Sequence, residues 1–346
     1  MTLARPLPEL TVVIPFYNRA DTVQFTLESI DRARQGLPIE VLLVDDGSSP
    51  PASEQLGGTP HQPDRILRQE NQGLLFARLT GLQAAQGEFV LFLDSDDLVG
   101  PDKFVAQLRA MRASGASVSY TDTAQAELRT PYDSITPRPD APVEETTASM
   151  EFFIRVQPAP HSPIFRTAWL RQLVATPLFP PAPQYNPVAE IWFYHIAAPC
   201  ATTVVKTPGP HTIIGHHSGA RLTNQWEKLA VASLGVMEAF MRTCPATDQT
   251  CKVRQLVGER AFDAWRRLPY DFSDEFDRRL LSLWKCSPRG SITGLGGAWF
   301  GRLARLVGPV SAGRIFRRVR GHSYQSCRTL EDFALFTAWM ARLPAA

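Results

Sequence analysis

The chain has 346 residues, enough for about two domains, and its 44% hydrophobic, 20% charged composition excludes disorder, collagen and coiled coil as global descriptions. Its five cysteines, Cys200, Cys244, Cys251, Cys286 and Cys327, form no C-x-x-C and lack a nearby His at zinc-finger spacing, so no disulfide framework or structural zinc is expected, and the compartment is expected to be reducing. The net charge of +2 hides an asymmetry: eleven Lys and Arg and no Asp or Glu lie between Asp277 and Glu331, leaving 25 basic residues against 34 acidic ones elsewhere.

The N-terminal MTLARPLPEL lacks the apolar stretch of a secretory signal, and no run of about 18 apolar residues occurs. Neither export by that route nor a membrane span is expected. Leu10 to Ile14 reads as a short strand stopped by Pro15. Thr22 to Ala33 follows as a helix with Val23, Leu27 and Ile30 on one face, and Glu40 to Val44 is a second strand. Arg65 to Leu67, a helical pattern through Leu74, Leu75, Leu79, Leu82 and Ala85, and a strand at Phe89 to Leu93 continue the alternation. Strands apolar on both faces, alternating with helices, predict an α/β class built on a buried parallel sheet, which binds ligands at the C-terminal strand ends. Lys103 to Ala113 predicts a helix and Ser117 to Tyr120 a strand. The Pro-rich stretches at 137–142, 158–163 and 177–187 predict extended loops that wall a site, and 225 to 284 predicts helices.

Three polar clusters are expected to meet at one sheet edge: Pro15-Phe16-Tyr17-Asn18, Asp45-Asp46-Gly47-Ser48-Ser49 and Asp94-Ser95-Asp96-Asp97. Carboxylates at i and i+2 leaving a strand can grip a hard divalent cation that bridges phosphates; an acidic loop capping the next helix is the plain alternative. Arg78, where a helix enters the same edge, suits a phosphate or an acidic partner, with a surface salt bridge as the alternative. Asp45 and Asp46 could form a simple turn with Gly47, yet a carboxylate at a second-strand end commonly accepts hydrogen bonds from a ribose or base.

Together TVVIPFYNRADTV, EVLLVDDGSS, NQGLLFARLTGLQAAQGEFVLFLDSDD and the trailing Pro101-Asp102 closely resemble glycosyltransferase family 2, the inverting nucleotide-sugar transferases of GT-A fold. The resemblance is strong over residues 10 to about 110. It implies a mostly parallel central sheet flanked by helices, followed by a helical C-terminal extension. Pro15, Tyr17 and Asn18 match the first-strand turn lying against the nucleotide, and Asp46, with Asp45 beside it, matches the acid that binds the base. Arg78 matches the arginine of the nucleotide pocket. Asp94, Ser95 and Asp96 match the family's DxD, whose second acid holds Mn2+ or Mg2+ on the donor diphosphate, with Asp97 an outer partner.

Beyond 110 the match thins. Family members carry Glu-Asp before an aromatic-rich helix, the Asp being the general base. Here Ala189-Glu190-Ile191-Trp192-Phe193-Tyr194 aligns Glu190 with the base and replaces its acidic neighbour by Ala189; a glutamate favoured at a helix start is the alternative. Ile214-Gly215-His216-His217-Ser218-Gly219 resembles the family's stretch ending in a His near the diphosphate, and His217 fits its spacing better than His216, with an exposed loop histidine as the alternative. No G-x-x-x-x-G-K-[ST], G-x-S-x-G, H-E-x-x-H or G-x-G-x-x-G after the first strand is present.

The resemblance thus implies a metal-dependent hexosyltransferase using a nucleotide sugar, UDP-sugar favoured, on a glycan or lipid-linked acceptor. A nucleotide-sugar binding protein without turnover is the alternative; a nucleotidylyltransferase lacks the Gly-rich loop it needs after the first strand. The expected domains are 8–222, divided into a nucleotide-binding half (8–100) and an acceptor half (101–222), and a helical region 223–346. Within the basic segment 278–330, Trp299, Phe300, Leu303, Leu306 and Val307 fall on one helical side with Arg302 and Arg305 opposite, and Ile315, Phe316 and Val319 form a stripe with Arg314, Arg317, Arg318 and Arg320 on the other arc. That composition suits an anionic membrane surface, with packing on the protein's own body as the alternative and nucleic acid not expected. The expected location is cytoplasmic, peripheral on the cytoplasmic face of the membrane.

Overall fold

The computed structural model of the chain describes residues 7–218 and 224–344. They form two compact units, the first comprising residues 7–152, 156–177 and 201–218 and the second 153–155, 178–200 and 224–344. Gly219 and the expected boundary at 222/223 lie outside the described residues.

The first unit runs β1 (Leu10–Phe16), α1 (Ala20–Ala33), β2 (Ile39–Asp46), α2 (Ala52–Gln55), β3 (Arg65–Gln69), α3 (Leu74–Ala84), β4 (Phe89–Phe92), β5 (Leu98–Val99), α4 (Lys103–Ser114), β6 (Val118–Glu127), β7 (Arg138–Pro139), α5 (Ser149–Glu151), β8 (Ile164–Arg166), α6 (Thr167–Ala175) and β9 (Val204–His216). The nine strands of the described residues join one sheet in the order β3-β2-β1-β4-β8-β6-β9-β5, with β7 on β6. The block β3-β2-β1-β4 is parallel, and beyond it the antiparallel entry of β8 makes the sheet mixed. Every residue of β1, β2 and β4 is buried, as strands covered on both faces require, and α1 seals one face with Val23, Leu27 and Ile30. Each such aliphatic side chain contributes about 1.5–3 kcal/mol through burial. Helix α4 ends on Gly115 at φ 68°, a left-handed cap that glycine adopts without a Cβ penalty.

Two expectations change. Strand β6 extends well past Tyr120 because β9 pairs with it from Val118 to Glu127, so Asp122 lies mid-strand, its Oδ1 accepting from Val143 N at 2.8 Å and 2.7 Å from Lys206 Nζ. The Pro-rich stretches are not uniformly extended loops: 138–139 forms β7, and Pro183–Val188 is a 3-10 helix whose Pro183 stands at the helix start, where the missing N–H costs nothing.

The second unit is helical: α7 (Ala189–Ala197), α8 (Trp226–Thr243), α9 (Asp248–Arg267), α10 (Asp274–Cys286), α11 (Ala298–Val307), α12 (Pro309–Arg320), α13 (Tyr324–Cys327) and α14 (Phe333–Ala341). A Thr247/Thr250 capping box starts α9, and Ser273 caps α10 by accepting from Phe276 N, each satisfying a backbone donor that a helix start leaves orphaned. Buried Glu227 ties the C-terminal segment to α8 by accepting from Thr329 N at 2.7 Å and from the Thr329 hydroxyl. Among the described residues no helix is long and apolar enough to cross a membrane.

The basic segment does not present all its cations to solvent. Arg279 is buried against Glu238, with Nε to Oε1 at 2.7 Å, and Arg317 is buried, donating to Asp277 Oδ2 and to the carbonyls of Leu268 and Pro269. Nor is the expected apolar side of α11 a single buried face. Phe300 is buried against Phe262 and Phe316, while Trp299 and Leu306 are 71% and 83% exposed. The cause is the small residues Gly301, Ala304, Ala312 and Gly313, which are buried in their place; a Cβ on Gly313 would meet the Trp265 ring at 2.3 Å.

Candidate active site

The parallel register places Phe16 opposite Asp45 and Asp46 opposite Gln69, so the ends of β1, β2 and β3 share one edge. Pro15 is buried within β1, and Tyr17 just beyond it is 51% exposed. Asn18 sits at φ 51° and bridges two loops, its backbone N–H donating to Ser48 Oγ at 3.0 Å and its side-chain Oδ1 accepting from Ser49 N at 2.9 Å.

Asp45 is 1% exposed. Burial pushes its pKa up, but donation from the amides of Ala52 and Ser48, the Ser48 hydroxyl and nearby Arg68 outweighs this and holds it below the usual carboxylate value. Asp46 accepts from Gln69 Nε2 at 2.7 Å, Gln72 N at 2.9 Å and Gly73 N at 2.8 Å, which fixes the entry into α3. Gly47 is required between these loops: at φ 82°, its Cβ would stand 2.8 Å from Asn71 N.

The acidic turn follows β4. Asp94 Oδ1 accepts from Arg78 Nη2 at 2.7 Å, and Arg78 is buried on α3 with its guanidinium 5.9 Å from the Phe92 ring centroid. Ser95 is buried. Asp96 Oδ2 lies 3.0 Å from His217 Nε2, and Arg19 Nη1 approaches that nitrogen at 3.5 Å. Asp97 is buried and faces inward, with Oδ1 accepting from Gly215 N at 2.9 Å and Oδ2 lying 3.1 Å from His161 Nδ1. Strand β9 thus runs hard against this turn; a Cβ on Gly215 would come within 2.0 Å of the Asp96 carbonyl. The two histidines at the end of β9 point apart: His216 Nε2 meets Gln125 Oε1 at 2.6 Å, whereas His217, just past the strand, meets Asp96.

Ligand atoms of Asp94, Asp97 and His161 lie within 4.8 Å of one another. His161 is 2% exposed in the 158–163 loop and was not identified from sequence; its signal was one imidazole within a proline cluster. Buried Lys103 backs that loop, donating to Ser162 O at 3.0 Å and Thr212 Oγ1 at 2.9 Å, and burial holds its pKa well below the usual lysine value. The donor chemistry suits a divalent ion. A carboxylate oxygen and an imidazole nitrogen 3.0 Å apart can both reach one cation at about 2.0–2.2 Å, and carboxylates with an imidazole are acceptable to Mn2+.

Glu190 lies in the first turn of α7, in the second unit, half-buried. The same helix carries buried Trp192, Phe193 and Tyr194, with the Tyr194 ring 5.9 Å from Phe153.

Residues 11–165 match the model of the family described as glycosyl transferase family 2. The succinoglycan biosynthesis protein ExoO of Rhizobium meliloti is 34% identical over 114 residues, covering 33% of this chain and 32% of the relative. The undecaprenyl-phosphate 4-deoxy-4-formamido-L-arabinose transferase of Serratia proteamaculans is 32% identical over 127 residues, covering 35% and 39%. The chain spans about a third of the length of the first curated relatives it matches. Among solved structures, S. aureus TarS 1–349 in complex with UDP-GlcNAc aligns with a TM-score of 0.59 at 16% identity over 92% of each chain. The mannosyltransferase PcManGT of Pyrobaculum calidifontis, in complex with GDP-Man and Mn2+, aligns with 0.52 at 14% identity over 91% and 87%. These structures share the fold, a mixed α/β glycosyltransferase sheet.

Proposed function

Since residues 11–165 match the glycosyl transferase family 2 model, we propose that the chain is an inverting hexosyltransferase that moves a sugar from a nucleotide-diphosphate donor to a hydroxyl of a glycan or lipid-linked acceptor. The observation that carries the reading is the turn after β4, where Arg78 lies 2.7 Å from Asp94 and His217 3.0 Å from Asp96. Both partners suit a diphosphate or the cation that accompanies one. TarS holds UDP-GlcNAc and PcManGT holds GDP-Man with Mn2+, which supports a nucleotide-sugar donor, UDP-sugar favoured, and Mn2+ or Mg2+ as the ion. A relative named as an undecaprenyl-phosphate transferase supports a lipid-linked acceptor.

In this reading Pro15, Tyr17 and Asn18 flank the nucleotide, Asp46 and Ser95 contact it, and Arg78 pairs with phosphate or holds Asp94 in place. Asp45 is a positioning residue that organises the turn at Ser48 and Ala52. Asp94, Asp96 and His217 hold the cation, which when bound neutralises charge on the departing diphosphate. Glu190 takes the proton of the acceptor hydroxyl as its oxygen attacks the anomeric carbon and the bond to the nucleoside diphosphate breaks. Inversion follows from that single displacement, without a covalent enzyme intermediate. Residues 8–222 form the transferase part, and the basic segment 278–330 is read as facing an anionic membrane on the cytoplasmic side.

Release of nucleoside diphosphate from a panel of UDP-, GDP- and dTDP-sugars, with and without acceptor, tests the reading; acceptor-dependent release supports it. A second reading, donor binding without turnover, draws on Ala189, which stands where the resemblance places an acid. Donor binding with no release under any acceptor would select it.

A further inference from the structure

We propose that α10, α11 and α12 form a docking surface for an anionic phospholipid bilayer, with a groove between α10 and α12 receiving lipid phosphates. The groove has a volume of about 720 Å³ and is lined by Tyr270, Arg278, Leu281, Arg314, Ile315 and Arg318, together with the Arg317–Asp277 pair and Asp274. The chemistry divides along the helices. On α12, Arg314 and Arg318 stand one turn apart beside Ile315 and Val319, and all four are exposed; on α10, exposed Arg278 and buried Leu281 repeat the combination. Arg317 is already engaged by Asp277, so the cations that remain for a ligand are Arg278, Arg314 and Arg318, opposed by Asp274 alone among the lining residues.

Exposed apolar bulk gathers on the same helices. Of the ten exposed large hydrophobic side chains among the described residues, Trp299, Leu306, Val307, Ile315 and Val319 lie on α11 and α12, and Tyr270 lies just before α10. On α11 they alternate with exposed Arg302 and Arg305, and the Arg302 guanidinium lies 5.1 Å from the Trp299 ring centroid. Apolar side chains left in water beside guanidinium groups fit an interface whose outer layer is phosphate and whose inner layer is acyl chain. A soluble polyanion would pair with the arginines and leave Leu306 and Val319 in water. The inference concerns the second unit alone and does not depend on donor chemistry, so failure of the transferase reading would leave it standing.

The test is co-sedimentation of the full chain with phosphatidylglycerol and phosphatidylcholine vesicles. The expected result is binding to phosphatidylglycerol that weakens with salt, little binding to phosphatidylcholine, and at least a tenfold loss of partitioning in the Arg278→Glu/Arg314→Glu/Arg318→Glu variant. A separate Leu306→Ser/Val319→Ser variant should also bind less, and an unchanged circular dichroism melt in both variants would exclude unfolding. No binding to phosphatidylglycerol, equal binding to both lipids, or full retention by the folded charge-reversed variant would overturn the proposal. So would inorganic phosphate or duplex DNA binding to the arginines while vesicles do not.

Discussion

Asp96 and His217, 121 positions apart in the chain, meet with Oδ2 and Nε2 3.0 Å apart. The contact exists because β9 pairs with β6 and β5 and so carries its last residues past the turn after β4. A glycine at 215 permits that approach. Of two adjacent histidines, only the second has its imidazole on the acidic side of the strand.

His217→Ala should therefore weaken Mn2+-dependent donor binding by at least about tenfold, a loss that even an outer partner of a metal site causes when it is removed. His216→Ala, which removes the contact to Gln125 on the other side of the chain from Asp96, should leave it within about twofold. Titration of a UDP-sugar with and without Mn2+ measures both, and equal losses in the two variants would dissolve the distinction.

Glu190→Gln should retain donor affinity and lower kcat by at least about a hundredfold, because a general base acts in the transition state and hardly at all in ground-state binding. Near-normal kcat would hand the proton to another group. Asp122 is a poor candidate, since it is paired with Lys206 and accepts from Val143 N.

Much of the fold was legible in the sequence, for a physical reason. Strands β1, β2 and β4 are mostly apolar, with Thr11, Glu40 and the closing Asp45 and Asp46 their polar residues, and the α1 face repeats at helical spacing, so composition and period agree. The extent of β6 was not legible: its later residues, Thr121 to Glu127, are polar or small and gain their strand conformation from pairing with β9, a contact no local window contains. Similarly, Asp94, Asp96 and Arg78 stood out at strand and helix ends, whereas His161 is brought to Asp97 by a proline-rich loop with no periodic signal. In the basic segment, helical periodicity sorted the side chains into apolar and charged arcs but did not tell which would be buried: Trp299, Ile315 and Val319 are exposed while Arg317 is buried, because small residues on neighbouring positions take the contact.

His195 gives a pH prediction. Burial pushes its pKa down to about 4, opposed by the hydrogen bond to Ile191 O and reinforced by Arg260. Above about pH 6.5 the group is neutral in both states and contributes nothing. Between about pH 6.5 and 4 the unfolded chain binds the proton and the folded chain does not, so stability falls as pH falls, by up to about 3 kcal/mol. His195→Gln should flatten the stability profile across that window by denaturant titration, and parallel profiles would contradict the assignment.

Arg279→Met should destabilise the helical unit by about 3–5 kcal/mol, because Glu238 would remain buried without its counter-ion. Replacing both, as Arg279→Met with Glu238→Leu, should recover most of the loss. Denaturant midpoints of the single and double variants check this; additive losses would mean the pair is not coupled.

The central claim is that the Asp94-Ser95-Asp96 turn binds a nucleotide-sugar diphosphate through a divalent cation. Isothermal titration of UDP-sugar into the wild-type chain and Asp96→Ala, each with and without Mn2+, tests it most directly. The account predicts that Mn2+ strengthens binding to the wild type by at least about tenfold, and that Asp96→Ala, with its melting temperature preserved, loses that enhancement. Equal donor affinity of both proteins in Mn2+ would contradict it.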